Sequence, residues 1–326
     1  MGSEMCIRDR IPAIFWRSSM ASVNQGTGRK SSPASFTSMT PPEARAAYEK
    51  LAAATPRRAE VETVRDIEIP AETGTFRGRL YRPKEAPVPG GAVLFFHGGG
   101  WVIGSVDTHD AAVRSLAAAS GLTVISADYR LGPESPMPAA ADDALAIFRF
   151  IQSHASDYGI DPGKLALSGD SAGASLAAST AVASADTPQR PAALLLFYPS
   201  LDQRREAESL ASRRIFSEGG PVTKSLSDWF ASYALKGVRR DDPRVSPMAS
   251  RSLAGLPPTM IITAEHDIRH DEGRLFAQRL DAARVPVIWC SIQDAAHGFL
   301  EKIGSHAAKE ALQDAAFFLK QRLSTP

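Results

Sequence analysis

A serine flanked by glycines follows an apolar run in the middle of the chain. The segment LALSGDSAGASLAAS, from Leu165 to Ser179, carries a G-x-S-x-G pattern centred on Ser171. Glycines on both sides of a serine allow a tight, strained turn between a strand and a helix, which exposes the serine hydroxyl above a sheet. This context predicts Ser171 as a nucleophile for acyl transfer. The alternative is that Ser171 only caps the following helix.

A serine nucleophile requires a base and an oriented acid, because its hydroxyl is weakly nucleophilic by itself. Asp267 lies two residues after the apolar run TMIITAE, and His297 follows the next run, VPVIWCSI, within DAAHGF. Residues that follow parallel strands lie at the same edge of a sheet, so both side chains are expected near Ser171. The order serine, acid, histidine therefore predicts Ser171 as nucleophile, Asp267 as acid and His297 as base. Asp271 is the alternative acid.

The region around the predicted acid also permits a metal-binding interpretation. Four potential ligands occur within six residues, namely His266, Asp267, His270 and Asp271. A single carboxylate at the strand end is sufficient for the triad, and Asp271 suits the first turn of the next helix, where negative charge is favourable. We therefore predict no metal and no cofactor, with the four-residue metal cluster as the alternative.

Three consecutive glycines follow an earlier apolar run, in LFFHGGGWVIGS from Leu94 to Ser105. Glycine is costly to order, so three together indicate that the backbone must approach something closely. Acyl transfer develops a negative oxygen in the transition state, and backbone N–H groups directed at it are stabilising. The loop from His97 to Gly100 is predicted to supply such donors, together with the N–H of Ala172 after the nucleophile.

Unbroken apolar runs alternate with helical stretches from Gly91 onward, which is typical of an α/β fold with a buried parallel sheet. Two earlier runs, VETVRDIEIP and GTFRGRLYRP, alternate in part and predict an antiparallel pair at a sheet edge. Only helical fragments lie between Pro199 and Pro257, which predicts a cap inserted between two strands. The predicted parallel strands are AVLFF, LTVISAD, LALSGD, ALLLFYP, TMIITAE and VPVIWCSI.

Composition and charge exclude several classes of protein. The 326 residues carry a net charge of +1, which argues against a nucleic-acid or strongly acidic partner. The two cysteines, Cys6 and Cys290, exclude a disulfide framework, and Cys290 is predicted to be a small buried hydrophobe. No apolar segment approaches the roughly 18 residues of a membrane span, so we predict a cytoplasmic protein without membrane contact.

The beginning of the chain is predicted to be an arm. Residues 1–40 are rich in Ser, Thr, Gly and Pro after the first segment, and the pattern indicates disorder. The motif MCIRDR resembles the translation of a transposon end used in sequencing libraries. We therefore expect Met1–Arg10 to be read-through sequence, with a natural start at Met20 or Met39. Residues 41–326 are predicted to form a single domain.

With HGGGW, GDSAG, DIRHD and HGF in this order, the chain resembles the hormone-sensitive-lipase-like branch of the α/β-hydrolases, in its bacterial carboxylesterase form. The likeness covers nearly all of the predicted domain. It implies the α/β-hydrolase fold, with a mostly parallel sheet, flanking helices and a helical cap. It also implies Gly99, Gly100 and Ala172 as oxyanion donors, with Gly98 as the tight-turn residue beside the substrate.

The resemblance further implies how the site is enclosed. The cap would come from about residues 41–54 and 201–242, and His97 would hold the glycine loop. The segment YRLGPESPMPAAADDA is similar to a supporting connection of this branch. The apolar side chains of Trp101 and Phe230 are candidates for the substrate pocket, the alternative being that they form the core of the cap.

These features predict a serine carboxylesterase that hydrolyses short- to medium-chain esters through an acyl-enzyme intermediate. The predicted partner is a small-molecule ester, and the sheet edge near the last strand could support a homodimer. Two positions depart from the branch: Ile268-Arg269 replaces its usual Pro-Leu after the acid, and Ser135 replaces a frequent histidine. The alternatives are an amidase such as an arylformamidase, a non-catalytic hormone-receptor descendant and a structural protein.

Overall fold

The computed structural model describes residues 36–56 and 59–323 of the chain. The predicted read-through segment, the alternative start at Met20 and Cys6 lie outside these residues. Inside them, the predicted arm is too long, because residues Phe36–Ser38 form a 3₁₀ turn. The Phe36 ring packs edge-on against Tyr48 at a centroid distance of 6.2 Å, so this turn belongs to the folded unit.

An eight-stranded sheet forms the centre of the protein, in the order β1-β2-β4-β3-β5-β6-β7-β8. Strands β1 and β2 are antiparallel to each other, β2 is antiparallel to β4, and all later pairs are parallel. This confirms the predicted parallel sheet with an antiparallel pair at one edge. The strands are β1 (Thr63–Ala71), β2 (Gly74–Arg82), β3 (Gly90–Phe96), β4 (Thr123–Ala127), β5 (Ile160–Asp170), β6 (Leu194–Phe197), β7 (Thr259–His266) and β8 (Val287–Ala296).

Helices cover both faces of the sheet, as the alternating pattern predicts. Side chains of α3, α4 and α7 form one hydrophobic core with one face, and those of α2 and α8 form a second core on the other. The helices are α1 (Pro41–Ala53), α2 (Asp110–Ser120), α3 (Ala139–Ser153), α4 (Ala172–Ser184), α5 (Ala211–Ile215), α6 (Lys224–Ala234), α7 (His270–Ala282) and α8 (His306–Leu323). None of the helices in the described ranges combines the length and apolarity needed to span a bilayer.

Helix α1 occupies the first of the two segments that the resemblance assigns to the cap, residues 41–54. Thr40 precedes Pro41-Pro42, and its backbone N–H donates to the Glu43 carboxylate at 2.8 Å, which satisfies one end of a capping box. The predicted insertion between Pro199 and Pro257 contains α5 and α6, and none of its residues, all of which are described, lies in a strand. Both features place helical segments over the carboxyl edge of the sheet.

Strand β8 departs from the prediction that all the apolar runs are buried on both faces. Residues Val287–Ser291 are only partly buried, because β8 pairs with β7 alone and lies at the edge of the sheet. The prediction that Cys290 is buried is therefore wrong, and this residue is half-buried. Strands β3 and β4, between other strands, are fully buried as expected.

The turn between β5 and α4 places Ser171 in a strained conformation. Its φ of 51° and ψ of −115° lie in a region that residues with a side chain rarely adopt. The backbone is held there because the Ser171 N–H donates to the Phe197 carbonyl at 2.9 Å and its carbonyl accepts from Ser200 at 3.1 Å. A Cβ on Gly169 or Gly173 would lie less than 3.0 Å from backbone atoms, so both glycines are required for this turn.

Gly173→Ala is expected to destabilise the fold by about 1–3 kcal/mol or more, since the added methyl group would overlap the carbonyl oxygens of Phe96 and His97. The measurement is the urea unfolding midpoint, with the m value as a check on two-state behaviour. Gly220→Ala is the matched control, because its Cβ would meet no atom closer than 3.8 Å. Equal midpoints for the two variants would contradict the close approach of α4 to β3.

Candidate active site

The three residues predicted to act together meet at the carboxyl edge of the sheet. The Ser171 hydroxyl oxygen lies 2.9 Å from His297 Nε2, and His297 Nδ1 lies 2.7 Å from Asp267 Oδ2. Ser171 follows β5, Asp267 follows β7 and His297 follows β8. Because these strands are parallel, their following loops come together although the residues are up to 126 positions apart.

The orientation of this chain of side chains is fixed at both ends. Asp267 Oδ1 accepts the Arg269 backbone N–H at 2.8 Å, which directs the other oxygen, Oδ2, at His297. The Tyr198 ring packs against the His297 ring at a centroid distance of 4.8 Å. An ionised Asp267 only accepts hydrogen bonds, so His297 Nδ1 donates and Nε2 is left to accept from the Ser171 hydroxyl. The arrangement leaves His297 able to take the serine proton.

The alternative acid and the neighbouring histidines have other partners. Asp271 Oδ2 accepts the Ser212 N–H at 2.9 Å, and its Oδ1 pairs with Arg274 at 3.2 Å. His270 Nε2 lies 3.3 Å from the Ser291 hydroxyl, on the side of β8. The four residues that suggested a metal cluster in the sequence therefore point to different partners. Asp267 is the carboxylate that contacts His297.

Gly99 and Gly100 line the cavity that contains Ser171. Their φ angles of 110° and 60° lie in the left-handed region, which favours glycine. A Cβ on Gly100 would also overlap the Phe230 ring. Within the described part of the chain, the backbone N–H groups of Gly99, Gly100 and Ala172 donate to no protein oxygen. These three groups are thus available to a ligand beside Ser171.

The three other residues predicted to contact substrate, Gly98, Trp101 and Phe230, have different surroundings. The Gly98 N–H donates to Asp170 Oδ1 at 2.8 Å and is not available to a ligand. A Cβ on Gly98 would overlap the same carboxylate, which explains the glycine. The Trp101 side chain is only 4% exposed and borders a small cavity rather than the main one. Phe230, the third candidate, lines both cavities.

The glycine loop and the backbone beside it are held by side chains that donate to carbonyl groups. The Tyr129 ring stacks on His97 at 4.3 Å, and its hydroxyl donates to the His97 carbonyl at 2.7 Å. From helix α1, Arg45 donates to the carbonyl groups of Val102 and Gly132, each at 2.8 Å. The supporting segment predicted from the sequence therefore does hold the loop, while the role of Arg45 was not foreseeable from any motif.

Sequence reasoning also missed a buried polar network beside Ser171. His109 Nε2 lies 3.3 Å from Asp170 Oδ1, and the Tyr48 hydroxyl donates to Glu301 Oε2 at 2.7 Å. His109, Asp170 and Glu301 bring three ligand-type atoms within 4.8 Å of one another. Their hydrogen bonds to other protein groups identify them as an ionic network rather than a free ligand set. A second group of this kind is exposed: Glu265, His266 and Asp294.

One member of this network, His109, is favoured in its charged form. Burial disfavours the charged form of His109, but the Asp170 carboxylate outweighs it and raises the pKa of His109 to about 9. Burial would raise the pKa of Asp170, but the charge of His109 holds it below its ordinary value. Burial lowers the pKa of the neighbouring His97 to about 3, so His97 is neutral at physiological pH. The motif GDSAG gave a hint of this network, because it places a carboxylate next to Ser171.

Ser171 lies where a large and a small cavity meet. The large cavity has a volume of about 680 Å³ and the small one about 30 Å³. Phe230 and Gly100 border both cavities, so the Phe230 ring forms part of the wall between them. The large cavity has mainly apolar walls, which include Phe36, Leu51, Ile103, Val222, Leu226 and Phe230.

Comparison with known proteins decides the family. The sequence model of a family described by its alpha/beta hydrolase fold matches residues 93–301. The ethyl acetate hydrolase of Pseudomonas putida is 34% identical over 292 residues, covering 86% of this chain and 90% of that protein. This chain belongs to the α/β-hydrolase family. The fold and the family predicted from the motifs are thereby confirmed.

Two ester hydrolases also match over most of this chain. The carboxylic ester hydrolase LipN of Mycobacterium tuberculosis is 39% identical over 248 residues, which cover 73% of this chain. The match spans 64% of the length of LipN. A solved ester hydrolase from the metagenome of Lake Arreo superimposes with a TM-score of 0.84 at 36% identity, covering 90% of this chain and 93% of the other.

This α/β-hydrolase has an ionic cluster where its branch usually has Pro-Leu. The Arg269 guanidinium lies 3.0 Å from the buried Glu272 carboxylate, and Arg213 lies 2.8 Å from it. The other Glu272 oxygen accepts the Leu201 N–H at 2.7 Å. Asp267 itself is held by the backbone N–H of Arg269 and not by its side chain. The departure in sequence therefore leaves the hydrogen bond to Asp267 intact.

Proposed function

We propose that this α/β-hydrolase is a serine carboxylesterase with Ser171 as nucleophile, His297 as base and Asp267 as acid. The observation that carries the proposal is the continuous hydrogen-bonded chain from the Ser171 hydroxyl through His297 to Asp267, at 2.9 and 2.7 Å. The relatives named above, which are a carboxylic ester hydrolase and an ethyl acetate hydrolase, support the same reaction.

The mechanism follows from which atoms face each other. His297 Nε2 removes the Ser171 proton while the serine oxygen attacks the ester carbonyl carbon. The resulting oxyanion accepts hydrogen bonds from the N–H groups of Gly99, Gly100 and Ala172. His297 then protonates the leaving alcohol, and an acyl-enzyme forms. The same imidazole then takes a proton from a water molecule, whose oxygen attacks the acyl carbon, and gives this proton to the departing Ser171 oxygen. Asp267 stabilises the imidazolium in both steps.

The substrate is a small-molecule ester with a short group on one side of its carbonyl carbon. An ester bound at Ser171 extends in two directions from its carbonyl carbon, and the two cavities that meet there differ in size. The small cavity, about 30 Å³, accepts a group of only a few atoms. The large apolar cavity accepts a longer or aromatic group through burial of apolar surface. This supports short- to medium-chain esters as the substrate class.

The enclosure of the site is proposed to come from two segments. Tyr48 on α1 and Phe230 on α6 both line the large cavity, so the segments 41–54 and 201–242 each contribute to its walls. Together they form the cap of a single domain, which includes the turn Phe36–Ser38. Cytoplasmic location and a homodimer through the β8 edge stay predictions from the sequence.

Ser171→Ala is expected to lower kcat on a short aryl ester by about a million-fold, as for nucleophile removal in other triads. Ser175→Ala is the control, since Ser175 is a buried serine one turn along α4 whose hydroxyl has no hydrogen-bond partner among the described residues. Its activity is expected to stay within a few-fold of the unmodified protein. A loss below about a hundred-fold for Ser171→Ala, or faster hydrolysis of a formyl-aryl amide than of the matching ester, would contradict the proposal.

Asp267→Asn is expected to lower kcat by about 10⁴-fold, because an amide in that place favours the wrong histidine tautomer and cannot stabilise the imidazolium. Asp271→Asn is matched in chemistry and lies four residues away, but its carboxylate binds Ser212 and not His297. Its kcat is expected to change by only a few-fold. The measurement is kcat of both variants on one ester under steady-state conditions. An equal loss of kcat in both variants would contradict the assignment of Asp267 as the acid.

Phe230→Ala is expected to merge the two cavities. The site should then discriminate less against a long substrate group in the place of the small cavity. A methylene in an apolar pocket is worth about 1–3 kcal/mol, so the ratio of kcat/KM for hexyl over methyl groups is expected to rise by at least about tenfold. The measurement uses two series of esters, one varied in the acyl and one in the alcohol group. Tyr233→Ala, on the same helix but bordering neither cavity, is the control. Unchanged ratios in both series would contradict the dividing role of Phe230.

A further inference from the structure

His109 is a buried histidine next to the site whose two ring nitrogens both face hydrogen-bond partners. It precedes helix α2 and is 1% exposed, and its ring lies 5.5 Å from that of His97 and 6.1 Å from that of Tyr48. No step of the proposed mechanism uses it. The hydrogen-bond partners of its two ring nitrogens nevertheless bear on the protonation state of His109.

The partner of Nδ1 is a hydroxyl whose single proton is already donated. Thr108 Oγ1 donates to the Ser105 carbonyl at 2.9 Å and accepts the Ser105 N–H at 2.8 Å. His109 Nδ1 lies 2.8 Å from the same oxygen. Since the hydroxyl proton is directed at Ser105, the hydrogen bond between Thr108 and His109 requires a proton on Nδ1.

The partner of Nε2 is a carboxylate. Asp170 Oδ1 lies 3.3 Å from Nε2 and accepts the Gly98 N–H at 2.8 Å. The Gly98 N–H also lies within donor distance of Nε2, at 3.3 Å, but its bond to Asp170 is shorter. Burial disfavours a charged ring, but the charge of Asp170, 3.3 Å from Nε2, outweighs it and raises the pKa of His109 to about 9. With Nδ1 donating to Thr108, the ring at neutral pH carries a proton on both nitrogens and is an imidazolium.

We propose that His109 is a positioning residue: as a buried imidazolium it holds the Asp170 carboxylate against the Gly98 N–H and so fixes the glycine loop relative to Ser171. Asp170 is the residue before the nucleophile, and Gly98 is the residue before the first predicted oxyanion donor, Gly99. One carboxylate thus sets the spacing between nucleophile and donors, and its charge is compensated by one cation. The proposal rests on the proposed esterase function of the same site.

The same cation faces a third segment. Glu301, four residues after His297, lies with His109 and Asp170 in the buried group, and its Oε2 accepts from Tyr48 on α1. Burial raises the pKa of Glu301 above its ordinary value, so Asp170 is the principal counterion. The loops that carry Ser171, His297 and the glycines are consequently linked through one imidazolium.

The arrangement makes activity dependent on pH at the alkaline side. The titratable groups that face His109 are Asp170 after β5, Glu301 after β8, Tyr48 on α1 and His97 after β3. The pKa of His109 is raised to about 9. The stabilisation it provides is complete below the pKa of an unfolded histidine and is lost as the pH rises through about 9. Above that value Asp170 loses its counterion, and kcat is expected to fall.

The charge of His109 can be measured directly, without reference to catalysis. Ser171→Ala protein labelled with ¹⁵N-histidine is titrated by NMR, with His109→Gln used to assign the resonance. We expect both His109 nitrogens to be protonated at pH 7 and to titrate near pH 9. A His109 ring that is neutral at pH 7 overturns the proposal and leaves the esterase function untouched. Loss of activity in Ser171→Ala tests the esterase function separately.

Kinetics test the positioning role. His109→Gln keeps a neutral donor but no charge, and kcat is expected to fall about 10- to 100-fold with KM nearly unchanged, because misplaced donors act on the transition state. The fall of kcat near pH 9 is expected to disappear in this variant. Initial rates are followed on an alkyl ester in a pH-stat, with the uncatalysed rate subtracted at each pH. His306→Gln, at an exposed histidine, is the control and is expected to keep the unmodified profile.

Asp170→Asn provides a second variant in case His109→Gln does not fold. An asparagine carries no charge that the imidazolium has to compensate, so the fall in kcat near pH 9 is expected to disappear in this variant as well. A fall that stays near pH 9 in Asp170→Asn, or in folded His109→Gln, overturns the proposal. A KM increase without loss of kcat in His109→Gln also overturns it, because that result assigns His109 to substrate binding.

Discussion

The carbonyl oxygen of Phe96, at the end of β3, lies so close to the end of β5 and the start of α4 that a Cβ atom on Gly169 or Gly173 would overlap it. This approach allows the helix to begin at the residue after Ser171, and it forces Ser171 to a φ of 51°. Such a conformation costs on the order of 1–3 kcal/mol. Backbone hydrogen bonds to Phe197 and Ser200 offset the cost. The position of the serine hydroxyl, and with it every distance at the site, follows from this contact between a helix and a strand end.

The parallel sheet brings the remaining groups to the same place. Loops after β3, β5, β7 and β8 supply the glycines, the serine, the acid and the histidine, and they meet because the strands run in one direction. Proximity alone does not fix the distances between atoms of different loops to within an ångström. These distances are fixed by hydrogen bonds between loops, such as those from Gly98 to Asp170 and from Tyr129 to His97. Secondary structure brings the loops together, and polar side chains adjust them.

Motifs and apolar runs were sufficient to predict the sheet, the strand-turn-helix at Ser171 and the contact between Asp267 and His297. Each of these depends on local sequence or on the direction of strands. Contacts between distant segments could not be predicted in this way. Nothing near Gly98 indicates that its N–H is taken by Asp170, 72 residues away, and nothing near Trp101 indicates that it borders the small cavity and not the large one. The partial exposure of β8 likewise depends on its place at the sheet edge.

Arg45 connects helix α1 to the backbone beside the glycine loop through the carbonyl oxygens of Val102 and Gly132. Backbone acceptors are insensitive to which side chains surround them but are sensitive to the course of the main chain. A chimera that received α1 from another hydrolase would keep this anchor only if the donor helix carried an arginine in register with a loop of the same path. Helix α1 and this loop therefore have to be exchanged together. Crossover points between family members are best placed outside both segments.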